Sequence, residues 1–146
     1  MNINHASVHD GVVRINNEVS TFSDLSKVTH IRHSLSACFN GLGFDSIKLS
    51  NLCYVGNFIS ISANQHLISA SFPKLTQASW ISLSGLPLLR SFEAPSLLVL
   101  SHGFFASDAP QLAEVFISPD LTVATNILNT KLNPAQPFSL STRASA

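Results

Sequence analysis

The sequence of 146 residues has little charge: Asp, Glu, Lys and Arg together make up 11% of the chain, and the 8 acidic residues balance the 8 basic ones. A disordered chain is rich in charge and poor in apolar residues, whereas this one is 45% apolar, so disorder is excluded. A strongly basic nucleic-acid-binding protein is excluded as well, because no excess of positive charge is present to neutralise phosphates. Long surface helices are not expected, since such helices carry charged outer faces.

Cysteines are few, and long apolar runs are absent. The two cysteines, Cys38 and Cys53, are too few for a disulfide-stabilised scaffold, and we expect both to be free, partly buried thiols. No run approaches the roughly 18 apolar residues of a membrane span, and the polar N-terminus lacks the features of a signal peptide. The location is unknown from these features; they favour a cytoplasmic or virion-associated protein over a secreted one, with a secreted fragment that has lost its signal left open.

Serine and apolar residues fill the chain instead, and they recur with a fixed period. Four segments begin about 22 to 23 residues apart and share one order of apolar positions: residues 44–52, 67–75, 89–97 and 112–121. Apolar residues occupy the first, fourth, sixth and ninth positions, except that the last segment has one extra residue, so Leu121 takes the place of the ninth. Serine occupies the third position in three of the four segments. A period of this length is typical of a solenoid in which each repeat forms one coil.

The second half of each repeat alternates apolar residues with serine. Residues 58–62 align with residues 80–84 and 103–107, and residues 126–130 form a weaker fourth copy. A degenerate earlier unit extends from Phe22 to Ser36. Alternation with a period of two predicts strands. A β-sandwich with chance similarity between its strands is the alternative fold.

Stacked coils explain the scarcity of charge. Parallel strands of successive coils lie about 4.8 Å apart, so equivalent residues stand directly above one another. A repeated charge would then face a like charge at that distance, which is destabilising. Serine and asparagine avoid this repulsion, while leucine, isoleucine, phenylalanine and alanine fill a narrow core.

Two of the units carry the residues of a known repeat pattern. The first has Leu67, Ala70, Phe72, Pro73, Leu75, Ala78, Ile81, Leu83, Pro87 and Leu89 in order. The second has Leu89, Phe92, Ala94, Pro95, Leu97, Leu100, Gly103, Phe104, Ala106, Pro110 and Leu112.

These units resemble the receptor L domain and its leucine-rich relatives over about residues 44–121. The pattern departs from that family where an asparagine should precede proline, because Leu86 and Ala109 stand there, and the cysteine-rich flanks are missing. The resemblance implies a right-handed solenoid and a recognition role rather than catalysis.

We therefore predict a mainly β fold, a short right-handed parallel β-solenoid of about four to five coils that is similar to the L domain and to leucine-rich repeats. Residues 1–21 form an N-terminal cap with a short strand at residues 12–15. Residues 22–133 form the coils, and residues 134–146 form a C-terminal cap or tail, because Pro134 and Pro137 cannot continue a ladder of hydrogen bonds.

No catalytic or metal-binding motif stands out. His30 and His33 are three residues apart, which places them on opposite faces of a strand, whereas a zinc site needs three or four convergent ligands. The chain has no Gly-x-Ser-x-Gly motif for a nucleophilic serine. The acidic residues considered for polysaccharide cleavage fall in different columns of the repeat: Asp45, Glu93, Asp108 and Glu114. We predict no catalytic residue, no metal site, no cofactor and no enzymatic activity.

The candidate binding residues are Trp80, Ser82, Ser60 and Phe105. Trp80 is the only tryptophan, and exposed aromatic side chains anchor binding surfaces for proteins and sugars. Phe104 and Phe105 must point to opposite faces of a strand, so one of them is a candidate for an exposed contact. Serine columns near Ser60 and Ser82 form either a polar binding face or simple solvation of the ladder. For Trp80 and Phe58, filling a corner of the core is the alternative.

Two functions follow from this sequence. The first is a non-catalytic recognition module that presents one sheet face to a protein or glycan partner. The second is a structural or self-assembling unit, such as a virion, filament or oligomer component. Low charge favours the second function slightly, because single soluble solenoids usually carry more charge.

Overall fold

The computed structural model describes residues 8–15, 25–38, 45–118, 122–123, 126–130 and 139–142. The protein is mainly β and forms a parallel β-solenoid of about four turns, which confirms the fold class predicted from the repeat. Its strands in chain order are β1 (Val8–His9), β2 (Val13–Ile15), β3 (His30–Ile31), β4 (Leu35–Cys38), β5 (Ser46–Lys48), β6 (Tyr54–Val55), β7 (Phe58–Ser62), β8 (Ser69–Ser71), β9 (Gln77–Ser84), β10 (Ser91–Ala94), β11 (Val99–Ser107), β12 (Glu114–Ile117), β13 (Thr122–Val123), β14 (Asn126–Thr130) and β15 (Ser139–Thr142).

Strands from successive coils stack in three parallel rows. Row 1 contains β1, β3, β6, the first part of β9, the first part of β11, and β13. Row 2 contains β2, β4, β7, the last part of β9, the last part of β11, and β14. Rows 1 and 2 belong to one sheet of 10 strands, and row 3 is a sheet of 5 strands made of β5, β8, β10, β12 and β15.

The strand register places equivalent positions of the repeat next to each other. In row 3, the third repeat position forms the column Ser46, Ser69, Ser91 and Glu114. In row 2, the second half of the repeat begins with the column Phe58, Trp80, Gly103 and Asn126. The alignment of four repeats made from the sequence is therefore confirmed residue by residue in these columns.

The inward columns of the three rows form one apolar core. Phe72, Phe92 and Phe104 lie at its centre, and each is completely buried. The ring centroid of Phe92 lies 5.6 Å from that of Phe72 and 5.5 Å from that of Phe104, so one aromatic cluster joins rows 2 and 3. Burial of such rings contributes strongly to stability, because each removes a large apolar area from water.

Asn64 shows how a corner of the coil accepts a polar residue. Its column continues with the apolar residues Leu86 and Ala109, and all three are buried. The Asn64 Nδ2 donates hydrogen bonds to the backbone carbonyl of Ala37 at 3.1 Å and to that of Ser62 at 2.9 Å. A buried amide is tolerated where its hydrogen bonds are made, so this position departs from the repeat without breaking the coil.

The segments predicted as caps contribute strands to the same ladders. In the N-terminal segment, β2 pairs in parallel with β4. This strand begins at Val13, one residue later than the strand predicted at residues 12–15. In the C-terminal segment, β15 pairs in parallel with β12 and extends row 3, although the chain has passed two prolines. The two prolines themselves lie outside the described residues. Row 3 gains β15 because this strand begins at Ser139, after both prolines.

Both cysteines are free and half-buried, as predicted. Cys38 ends β4 and faces the same side of row 2 as Ser62, its partner in register. Cys53 precedes β6, and its thiol donates to the carbonyl of Asn51 at 3.3 Å. Among the described residues, no helix is long and apolar enough to cross a membrane.

Candidate binding surface

The outer face of row 2 carries the four residues that the sequence singled out. In the row 2 parts of β7 and β9, the buried residues are Ile59, Ile61, Ile81 and Leu83, and the residues between them face outward. Because side chains of a strand alternate between its two faces, Trp80 and Ser82 lie outside the core. The core-corner alternative for Trp80 is wrong, since 37% of this residue is exposed.

These side chains line one shallow depression on the solenoid surface. Its volume is about 500 Å³, it opens to solvent, and its lining consists of Phe58, Ser60, Trp80, Ser82 and Phe105. We call this feature the aromatic depression. It brings together all four predicted residues and adds Phe58, which comes from the coil before Trp80.

The Trp80 ring is held on two sides. Phe58, its neighbour in register on β7, stacks against it with ring centroids 5.7 Å apart and an angle of 22° between the planes. His102 approaches from β11 with its ring edge-on, at 6.1 Å and 88°. A side chain fixed in this way loses little further conformational freedom when it binds a partner.

The backbone of β11 opens the space next to Trp80. The register between β9 and β11 shifts between Leu100 and Gly103, where β11 holds one more residue than β9. Gly103, which has a φ of 123°, then stands opposite Trp80 and carries no side chain. Two residues later Phe105 stands opposite Ser82 and is half-buried, while Phe104 is completely buried in the core.

Polar groups of the depression are hydroxyls without charge. Ser60 and Ser82 are adjacent in register and half-buried. Within the described part of the chain, neither hydroxyl has a hydrogen-bond partner. The lining contains no acidic or basic residue, and the charged residue that shares its column, Arg14, lies two strands before Ser60, at roughly 10 Å.

The contact of His102 with Trp80 was not predicted from the sequence, and the orientation of Phe58 was left open. Phe58 is the first residue of the alternating strand β7, so the period of two places it on the face of Ser60. His102 could not be placed from the repeat, because the extra residue of β11 changes which neighbour it meets. Only the position of this irregularity in the folded chain brings the imidazole ring to Trp80.

The histidines considered as metal ligands are engaged with neighbouring hydroxyl groups. His30 Nδ1 lies 2.8 Å from Thr29 Oγ1, and His33 Nδ1 lies 3.0 Å from Ser34 Oγ. Across the residues that the structure describes, no three His, Cys, Asp or Glu side chains form a group that could hold a metal ion. The prediction that the chain is not an enzyme stays a prediction.

A second depression of about 430 Å³ lies beside row 3 and differs in character. Its lining is Arg90, Ser91, Gln111, Ala113 and Glu114. It joins a basic and an acidic side chain of adjacent coils and has no aromatic residue, so it lacks the apolar surface that anchors most ligands.

The chain matches no protein-family model, and neither the search of curated proteins nor that of solved structures gave a match. The resemblance to the receptor L domain therefore stays a prediction from the repeat pattern, and the fold rests on the strand pairing described above.

Proposed function

We propose that this protein is a non-catalytic recognition module that presents the outer face of row 2 to a protein or glycan partner. The observation that carries this proposal is the fixed, partly exposed Trp80 ring between Phe58 and His102. Exposed aromatic residues supply large contact areas at low entropic cost and dominate the energy of many interfaces. The adjacent Ser60 and Ser82 hydroxyls supply polar contacts that fix orientation.

Variants of the aromatic depression test this function. We expect Trp80→Ala and Phe105→Ala to abolish capture of the partner in protein and glycan pull-downs. Phe116→Ala is the matched control, because Phe116 is also a half-buried phenylalanine of a strand but belongs to row 3. Capture that persists unchanged in both Trp80→Ala and Phe105→Ala would remove this surface from the function.

A second candidate function is self-assembly with further copies of this chain. It is favoured by Leu98 and Val99, which are adjacent on one coil and are 42% and 39% exposed. A formal net charge of zero also removes the repulsion that keeps charged proteins apart. Light scattering during size-exclusion chromatography tests this function: a monomer at tens of micromolar contradicts it, and an oligomer that Leu98→Ser with Val99→Ser dissociates supports it.

A further inference from the structure

We infer that the aromatic depression binds an uncharged glycan, an inference that rests on the proposed recognition function. Four features of the depression support this ligand class: its size, its lack of charged residues, its aromatic lining and its hydroxyls without a partner among the described residues. Each of these features distinguishes a neutral sugar from another class of ligand.

The size of the depression fits a small ligand better than a protein surface. Five side chains line it, whereas a standard protein–protein interface uses about 20 to 30 residues on each side. Trp80 and Phe105 stand on adjacent strands two residues apart in register, which places their Cα atoms roughly 8 Å from each other. Trp80 and Phe105 are diagonal neighbours on the two strands, and Gly103 and Ser82 occupy the other two positions of this group of four. Because glycine and serine are small, they leave space between the two aromatic side chains.

The absence of charge disfavours an ionic ligand. A carboxylate, sulfate or phosphate that loses water against these rings would find no lysine or arginine in the lining to pair with, which is unfavourable. A cationic ligand would meet no carboxylate there. Phe58 stacks on one face of the Trp80 ring, so the two rings do not converge on a common point as the rings of an ammonium cage do.

The chemistry of the lining matches the two sides of a neutral sugar ring. The C–H groups of one sugar face carry slight positive charge and pack on the negative face of an aromatic ring. The hydroxyl groups at the edge of the sugar donate to and accept from serine hydroxyls. Ser60 and Ser82 are half-buried and lack a partner among the described residues, so they retain their full hydrogen-bonding capacity for such a ligand.

The single tryptophan makes a direct test available, because all tryptophan fluorescence of this protein comes from Trp80. Soluble neutral oligosaccharides of glucose, N-acetylglucosamine, xylose and mannose are titrated into the protein beside oligogalacturonate and heparin fragments. We expect at least one neutral oligosaccharide to change the fluorescence in a saturable way and the charged ones to leave it unchanged.

Phe105→Ala keeps the fluorescent reporter and is expected to weaken this binding by about tenfold, whereas Phe116→Ala leaves it unchanged. Ser82→Ala, a smaller change that does not alter the rings, provides a second variant if Phe105→Ala unfolds, and it also weakens binding. Thermal unfolding followed by circular dichroism shows whether each variant is folded.

Three results would overturn the inference: no oligosaccharide changes the fluorescence, only charged ones do, or binding is equal in the wild type, Phe105→Ala and Ser82→Ala. The proposed recognition function fails separately. If no sugar binds but Trp80→Ala abolishes capture of a protein partner, the glycan inference is wrong and the recognition function stands. If neither sugar binding nor protein capture depends on the depression, both are wrong.

Discussion

Three residues with a left-handed backbone turn the chain from row 2 towards row 3. Ala63, Gly85 and Asp108 follow β7, β9 and β11 directly, and their φ angles are 52°, 60° and 51°. The corner therefore has the same backbone conformation in three successive coils, although only one of the three residues is glycine. A residue with a Cβ atom is disfavoured in this conformation by about 1–2 kcal/mol.

Substitutions at this corner should differ in their effect on stability. We expect Gly85→Ala to destabilise the protein by about 1 kcal/mol, because the new side chain would occupy a left-handed position. Ala63→Gly relieves that strain but adds flexibility to the unfolded chain, so its effect lies between neutral and a gain of about 1 kcal/mol. Urea unfolding of both variants measures the difference, and equal midpoints for the two would contradict it.

At the scale of the strand, low charge is a consequence of stacking. Row 3 places Ser91 between Ser69 and Glu114, at a strand spacing of about 4.8 Å. Because the Ser91 side chain is uncharged, it does not repel the Glu114 carboxylate of the next coil. The sequence avoids repeated charge in such columns, and the hydroxyl side chains remain compatible with any neighbour above or below.

A charge introduced at Ser91 should reveal this effect. Ser91→Glu faces Glu114 with a like charge, whereas Ser91→Lys faces it with an opposite charge. We expect the glutamate variant to be less stable than the lysine variant by about 1 kcal/mol. The difference should shrink in about 1 M salt, because the Debye length is then roughly 3 Å and exposed charges farther apart than this are largely screened. Thermal unfolding at low and high salt measures it, and a difference that does not depend on salt would exclude an electrostatic cause.

For the molecule as a whole, stability depends on contacts between neighbouring coils. Each coil buries its apolar residues mainly against the coils before and after it, as in other stacked repeats. Phe92 is central in this respect, because it contacts the Phe72 ring in the coil before it and the Phe104 ring across the core. A cavity at this point should therefore destabilise several coils together.

We expect Phe92→Ala to reduce the free energy of unfolding by about 3–5 kcal/mol, which is the usual loss for a large buried ring. Phe116→Ala, which removes a half-buried ring of the same sheet, should cost much less. Urea unfolding compares the two variants. Equal losses would mean that the aromatic cluster does not hold the coils together.

Much of the fold was predictable from the sequence because the same physical constraint acts in every coil. Leu67, Leu89 and Leu112 recur where the coil must bury a side chain, so the period and the inward columns are visible without coordinates. The alternation after Phe58 and Trp80 likewise predicts which residues face outward, since a strand has only two faces.

The ends were less predictable. Residues near both termini lack the full repeat pattern, yet β2 and β15 join the parallel ladders. Backbone hydrogen bonds between strands do not require a particular side chain, so a strand can pair where the sequence gives only a weak signal. Prolines excluded a ladder at their own positions but gave no information about the strand that follows them.

The sequence by itself determined the coil length and the core columns, because periodicity assigns most positions to a face. It also indicated Ser60, Trp80, Ser82 and Phe105 as candidates, but it left open whether Trp80 is exposed or fills a corner of the core. Only the tertiary structure decided that these four lie in one depression with Phe58, and that His102 holds the Trp80 ring. That arrangement depends on the extra residue in β11 and on Gly103 opposite Trp80. Such a local shift changes lateral neighbours between coils, and lateral neighbours are set by strand register rather than by the order of residues along the chain.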